Sequence, residues 1–299
     1  MAPQVLEPAT LLEALTALGD ESRSSKVIAG GTGLTLLLRQ QLLSPDRLIA
    51  LHRLPLTSIT MQEARVSVGA LATHAQIAAS ALVRKQYPAL ASAFGSVATP
   101  RIRNMATVGG NLVHADPHLD PPVALMAAGA SVTASSIDSE REIPLSDLLL
   151  GYFETELAPA EILTSVHVPA RSKDVGLSFI KHLSRSKDDY AAVDVSVWLS
   201  VTARGGIEDA RVAIGGAGPT VFRVSEAEAL LRGAELDPQI AIEAGDASAS
   251  QADPDSDTRG SADYKRHLIR VLVPRAIELA MKDAARPLEG ASPSGHPRS

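Results

Sequence analysis

The sequence predicts an α+β protein made of two intertwined N-terminal subdomains and one C-terminal domain. Three observations lead there. Strand, glycine turn and helix alternate at the start of the chain. Period-two runs mark strands from about residue 59 onward. Two strongly alternating runs, Ala192 to Ala203 and Ala210 to Gly215, announce an antiparallel sheet exposed on one face. The expected divisions are residues 1–55, 56–170 and 175–285, with 286–299 a frayed tail containing Pro, Gly and Ser.

Taken in order, Leu11 to Leu18 carries apolar residues at helical spacing and stops at Gly19. Lys26 to Ala29 reads as a short buried strand, Gly30 to Gly33 as the break, Leu34 to Gln40 as a helix and Arg47 to Leu51 as a second strand. Arg65 to Ala70 alternates as a half-buried strand, and helices are expected at Thr73 to Ser80 and Ala89 to Ser96. A glycine-rich stretch at Thr107 to Asn111 leads into a His-Asp-Pro loop ending near Pro122. Helix Val123 to Ala128, strand Ser131 to Ser135 and strand Glu161 to Pro169 follow. In the last block, helices are expected at Ser225 to Arg232 and Tyr264 to Lys282, with Gly245 to Ala262 a mobile surface loop.

Composition narrows the function. The 299 residues are 45% hydrophobic and 21% charged, an ordinary globular balance large enough for two domains. Four Phe, four Tyr and one Trp leave the core to Ala, Leu, Val and Ile. A net charge of -6 argues against a nucleic-acid partner, and the apolar runs fall short of the roughly 20 residues of a membrane span. The absence of cysteine excludes disulfides, thiol nucleophiles, Cys-type zinc sites and thiolate-ligated iron–sulfur clusters. Met1 to Val5 shows no secretory pattern, so a cytoplasmic protein is expected.

Three segments carry residues suited to chemistry. Val27-Ile28-Ala29-Gly30-Gly31-Thr32-Gly33-Leu34 joins strand, glycine turn and helix start, where free backbone N–H groups and the helix dipole suit a pyrophosphate. The third glycine of the dinucleotide fingerprint is missing, and a tight turn without a ligand is the equal alternative. Thr107-Val108-Gly109-Gly110-Asn111 supplies a second glycine pair flanked by a hydroxyl and an amide, followed by Asp116-Pro117 and Asp120-Pro121-Pro122. Two such turns grip both ends of a dinucleotide, or are two turns and an Asp-capped helix. Phe179 to Ala191 crowds four basic side chains, two carboxylates and a tyrosine into one turn between strands, which is otherwise a solvated charge cluster. His52, His74, His114 and His118 read as polar surface or loop residues, and no histidine spacing suggests a metal.

Together these segments resemble the FAD-binding (medium) subunit of the molybdenum hydroxylases, as in carbon monoxide dehydrogenase and bacterial relatives of xanthine dehydrogenase. Ala29 to Thr32 resembles the first flavin loop; Arg103-Asn104 with Ala106 to Asn111 resembles the second. Phe179, Lys181, Arg185, Asp189-Tyr190-Ala191 and Val193 resemble the flavin-edge loop, and Arg211 to Thr220 and Tyr264 to Leu268 the C-terminal signatures. The resemblance implies an FAD-binding fold of the p-cresol methylhydroxylase/vanillyl-alcohol oxidase type followed by a C-terminal α+β domain. It implies that Val27 to Leu34 and Thr107 to Asn111 hold the FAD pyrophosphate, that Ala98, Asp120 and Leu163 line the cofactor, and that Lys181 meets the flavin ring. No catalytic residue is expected on this chain; an aromatic side chain at Tyr190 would shield one flavin face. Gly33 departs from the Asp or Ser that many members carry.

The same resemblance implies a noncovalent FAD on this chain, with a molybdenum cofactor on a large partner subunit and two [2Fe–2S] clusters on a small one. The whole would be a dimer of heterotrimers in which electrons pass from the clusters to FAD and on to an external acceptor. The lack of cysteine fits a chain that supplies only the last station. The competing readings are a stand-alone flavin-dependent oxidase or dehydrogenase, for which no base emerges from the residues, and a non-catalytic nucleotide-binding scaffold.

Overall fold

The computed structural model describes residues 3–183, 185–186 and 188–286. Its first layer is three parallel strands, β1 (Gln4–Leu6), β2 (Ser25–Ile28) and β3 (Arg47–Ala50), in the order β1-β3-β2. Strand β1 went unforeseen because three residues are too few to show a period. Between β1 and β2, α1 (Leu11–Leu18) is capped by Thr10, whose hydroxyl accepts the Glu13 N–H, and its buried Ala14 and Leu15 pack with Ile49 of β3. Helix α2 (Leu34–Arg39) follows the glycine turn and, although four of its six residues are leucine, buries none of them.

The second layer opens with β4 (Ile59–Gln62) and β5 (Arg65–Gly69). Five helices follow: α3 (His74–Ala79), α4 (Ala81–Gln86), α5 (Pro88–Gly95), α6 (Pro100–Met105) and α7 (Val108–His114). After α8 (Asp120–Ala128) come β6 (Ser131–Ser135), β7 (Glu140–Pro144), the single turn α9 (Leu145–Leu148), the small hairpin β8 (Leu149–Gly151) and β9 (Glu154–Thr155), and β10 (Ile162–Pro169). Antiparallel pairing orders the main sheet β4-β5-β10-β6-β7.

The third block is a four-stranded antiparallel meander, β11 (Val175–His182), β12 (Val193–Val201), β13 (Ile207–Gly215) and β14 (Phe222–Arg223), with α10 (Ser225–Leu231), α11 (Pro238–Gln251) and α12 (Ala262–Ala284). Helix α8 lies at the centre of the molecule. Every one of its nine residues is buried, and it packs against β11, β12 and β13, as a helix apolar all round must. One large core runs from Val66 to Val221 across the second and third blocks; a second, from Ala192 to Ala280, fills the far side of the meander.

Four expectations are corrected. The meander is not exposed on one face: β12 is buried on both, with Val193, Val195 and Val197 toward α11 and α12 and Trp198 toward α8. Residues 245–262 are not loop throughout: 252–261 lie outside helices and the rest within them. Their first part belongs to α11, where the Ala, Gly and Ser side chains are small enough for α12 to approach closely; a Cβ at Gly245 would stand 3.0 Å from the Arg270 carbonyl oxygen. Residues 179–182 lie in β11, not in a turn. His74 is neither surface nor loop: it sits in α3 with no exposure, its ring tilted against Phe94. Ser184, Lys187 and the tail beyond Arg286 fall outside the described residues. Among the described residues no helix is long and apolar enough to cross a membrane.

Candidate cofactor site

The glycine turn leaves β2 at Ile28 and enters α2 at Leu34. Gly31 takes φ +70°, a conformation that costs L side chains strain, and this sets the turn. Gly30 serves a different need, because a Cβ there would stand 1.8 Å from the Met105 carbonyl oxygen at the end of α6. The backbone N–H groups of Gly30 to Gly33 find no acceptor among the described residues. Val27, Ile28, Ala29, Thr32 and Leu34 are only half-buried around them. The turn therefore presents free donors on a face that the protein does not fill.

The second glycine pair lies beside the first. A Cβ on Gly110 would come 3.8 Å from Ala29 Cβ, and one on Gly33 would come 3.3 Å from the His114 ring. Thr107 to Asn111 is not a glycine turn, however. Thr107 caps α7, its hydroxyl accepting the Gly110 N–H, while the N–H groups of Val108 and Gly109 donate to the carbonyls of Ala72 and Ala70. The first-turn donors are thus taken by the protein. What α7 offers instead is close approach at Gly110 and the Asn111 amide, which is buried with its Oδ1 unpartnered. A buried orphan acceptor is costly and calls for a donor. Free N–H groups suit phosphate oxygens, and the Asn111 oxygen suits a hydroxyl or ring N–H. FAD carries both kinds of group.

From His114 the chain runs along the site to Asp120, the first residue of α8. The Asp120 carboxylate accepts from Lys181 Nζ at 2.7 Å and from the Ser96 hydroxyl at 3.1 Å, while Lys181 also donates to the Ser96 carbonyl. Both side chains of the ion pair are buried, at 4% and 7% exposure. Burial pushes the Asp120 carboxyl above its usual range, and the Lys181 ammonium partly offsets this. Ala98 stands just beyond Ser96 with φ 39°, an unfavourable conformation for alanine of the kind held in place at functional sites. Leu163 is not brought to an open surface. Its side chain is buried in the large core on β10, and the next carbonyl, of Thr164, accepts the Ala70 N–H beneath α7.

Tyr190 closes the far rim, 42% exposed. The Arg259 guanidinium lies 5.3 Å from its ring centroid, and the His118 ring meets it edge-on at 6.5 Å. Asp257 gathers Arg259 at 3.0 Å, Lys265 at 3.1 Å and His118 at 3.7 Å. Burial works against its ionisation, yet donors from Arg259 and Lys265 hold the Asp257 carboxyl down to about 2. Asp116 likewise ionises below its usual range despite burial, through hydrogen bonds from His118. Sequence reasoning missed Ser96, Asp257 and Arg259, whose segments looked like ordinary helix end and loop. It also missed Asp194, whose place between Val193 and Val195 in an apolar strand was the one available signal.

Residues 1–171 match the family model described as the FAD binding domain in molybdopterin dehydrogenase, and residues 178–280 match the CO dehydrogenase flavoprotein C-terminal domain. The chain is 35% identical over 272 residues to the 6-hydroxypseudooxynicotine dehydrogenase complex subunit alpha of Paenarthrobacter nicotinovorans, covering 91% of this chain and 92% of that one. It is 37% identical over 271 residues to the nicotine 6-hydroxylase medium subunit of the same organism, covering 90% and 94%. Among solved structures, a chain of carbon monoxide dehydrogenase from Hydrogenophaga pseudoflava superposes with a TM-score of 0.91 at 30% identity, covering 95% of this chain and 100% of that one.

Proposed function

Because this chain belongs to the FAD-binding subunits of the molybdopterin dehydrogenases, we propose that it is the flavin station of a cytoplasmic three-subunit complex. In this reading a large subunit oxidises the substrate at a molybdenum cofactor, and a small subunit carries two [2Fe–2S] clusters. This chain then passes the electrons from FAD to an external acceptor, within a dimer of heterotrimers. Bound here, FAD would supply the redox chemistry that links single-electron clusters to a two-electron acceptor. The chain has no cysteine, so thiolate-held clusters belong on a partner.

The protein's own residues then have distinct tasks. Gly30 to Gly33 offer N–H donors to phosphate, and Asn111 offers an acceptor. Lys181, fixed by Asp120 and Ser96, presents a buried cation that favours negative charge developing on the flavin. Residues 1–55 and 56–170 form the two halves of the cofactor cleft, and 175–285 brings Lys181 and Tyr190 to it. The observation that carries this reading is the placement of segment 107–120. Its His114 lies against Gly33 at one end, and its Asp120 holds Lys181 at the other.

Expression with its partner subunits tests it. One FAD per chain, a large and a small subunit that co-purify, and flavin reduction by substrate only in their presence are the expected results. A flavin-free chain overturns the assignment, as does a chain that oxidises substrate alone.

A further inference from the structure

Asp194 is the one carboxyl on β12, fully buried, and neither of its oxygens accepts from an N–H or O–H donor among the described residues. The register places it directly across from Lys181 on β11 and from Gly215 on β13. Gly215 leaves no side chain on that flank, and a Cβ there would stand 2.6 Å from Val123 of α8, so the pocket is sealed by packing. Lys181 Nζ donates to Asp120 at 2.7 Å, and Asp194 stands opposite the same lysine across the strand pair, so two buried carboxyls flank one ammonium. Asp120 from α8 and Lys181 from β11 are the charged groups facing it; Asp116 and His118 pair with each other on the rim, and Val193 and Val195 turn the other face of β12 toward α12.

Two carboxylates flanking a single ammonium carry one negative charge too many for a dry site. We propose that Asp194 is a neutral carboxylic acid at neutral pH and a positioning residue that donates its proton-bearing oxygen to Asp120, completing a charge-neutral Asp194–Asp120–Lys181 relay behind the flavin. Burial, reinforced by the Asp120 charge, pushes the Asp194 carboxyl well above the usual carboxylate range. The proton makes Asp120 a fixed acceptor, so that the Lys181 ammonium is aimed by one carboxylate. Losing it would add a negative charge beside the cofactor and oppose flavin reduction. The role in tuning rests on the flavin-station reading above; the proton on Asp194 does not.

Infrared spectra of the full chain made with carbon-13-labelled aspartate, free of FAD, read that proton directly. The expected result is a neutral-carboxyl band that persists at pH 7 and is lost in Asp194→Asn. Absence of the band in the unmodified chain at pH 7 overturns the proposal, and so does a band that survives Asp194→Asn, which would put the proton on Asp120. Should Asp194→Asn not fold, the pH series on the unmodified chain still decides against it if no neutral aspartic acid remains at pH 7. In the assembled complex, Asp194→Asn keeps a neutral donor and should hold FAD affinity and flavin potential near the parent's. Asp194→Ala should weaken FAD by about tenfold, the scale of a lost hydrogen bond to a charged group. Equal behaviour of the Asn and Ala variants would also overturn it. Failure of every form to bind FAD, with the infrared band intact, would sink the flavin reading and leave the proton in place.

Discussion

The Arg259 guanidinium lies over the Tyr190 ring, 5.3 Å from its centroid, although the two residues are carried by different loops. One further link joins those loops, Arg185 donating to the Thr258 carbonyl, while Lys265 anchors the Arg259 loop to α12 through Asp257. Tyr190 is thereby a held side chain on the rim, with the His118 edge on its other flank. A held ring screens a flavin face; a free one does not.

The first prediction follows. Tyr190→Ala in the assembled complex should speed reoxidation of the reduced flavin by oxygen, and Arg259→Ala should do so to a smaller degree by releasing the ring. A cation over a partly exposed ring is worth about 0.5–1 kcal/mol, so the Arg259 effect should be a few-fold in rate. Stopped-flow reoxidation measures both. Parent-like rates in both variants would make Tyr190 a structural residue.

Lys181→Met removes one member of a buried ion pair. The uncompensated carboxylate should cost about 3–5 kcal/mol of stability at neutral pH, and the loss should shrink on acidification as Asp120 takes up a proton. The sign is fixed by the Asp120 carboxyl standing above its usual range in the fold, so stability attached to its neutral form is present at low pH and is lost as pH rises through the folded value. Denaturant titrations of Lys181→Met at two pH values measure this, and a Lys181→Met, Asp120→Leu double variant should recover much of the loss. The flavin potential should fall in the single variant while much of the FAD stays bound. An unchanged potential would reduce the lysine to a structural cation.

How much of this was legible beforehand depended on the range of the interaction. Leu11 to Leu18, Ser131 to Ser135 and the two long alternating strands were readable because their signals are local periods and stops. The two glycine segments could be named from the sequence, but not distinguished. Only the fold shows that Ala70 and Ala72 consume the donors of α7 while those of Gly30 to Gly33 stay free. From the sequence Lys181 reads as part of a charge cluster, since nothing local says that α8 supplies its carboxylate 61 positions away. Residues 245–251 mislead because Ala, Ser and Gly read as loop when the close approach of α12, which needs small side chains, is out of sight.

His74 gives a pH dependence independent of any cofactor. It is fully buried with neither ring nitrogen partnered, and burial, assisted by the Arg103 charge, lowers its pKa to about 4. The folded value lies below the unfolded 6.5, so the unfolded chain binds the extra proton between those limits. Stability is therefore complete above about pH 6.5 and falls as the pH drops toward 4, by roughly 3 kcal/mol at most from this group. Urea titrations at pH 7 and pH 5 should show the loss, and His74→Leu should flatten it. An equally steep fall in His74→Leu would assign the dependence to other histidines.

The last prediction separates a glycine required by the fold from one that faces the ligand. Gly30 Cβ would stand 1.8 Å from the Met105 carbonyl oxygen, backbone that cannot yield without moving α6. Gly30→Ala should therefore lower the melting temperature and lose FAD together. At Gly110 the added methyl meets the Thr107 hydroxyl at 3.0 Å, where a small shift suffices, and then only Ala29 at 3.8 Å. Alanine also suits a helix better than glycine by about 1 kcal/mol. Gly110→Ala should keep or gain stability in the FAD-free chain, yet weaken FAD by narrowing the space between α7 and the 29–33 turn. Thermal melts and FAD titrations on both variants give four numbers, and the expectation is that they split. If Gly110→Ala bound FAD as tightly as the parent, the cofactor would not pass between the two glycine segments, and Gly110 would belong to the packing of α7 alone.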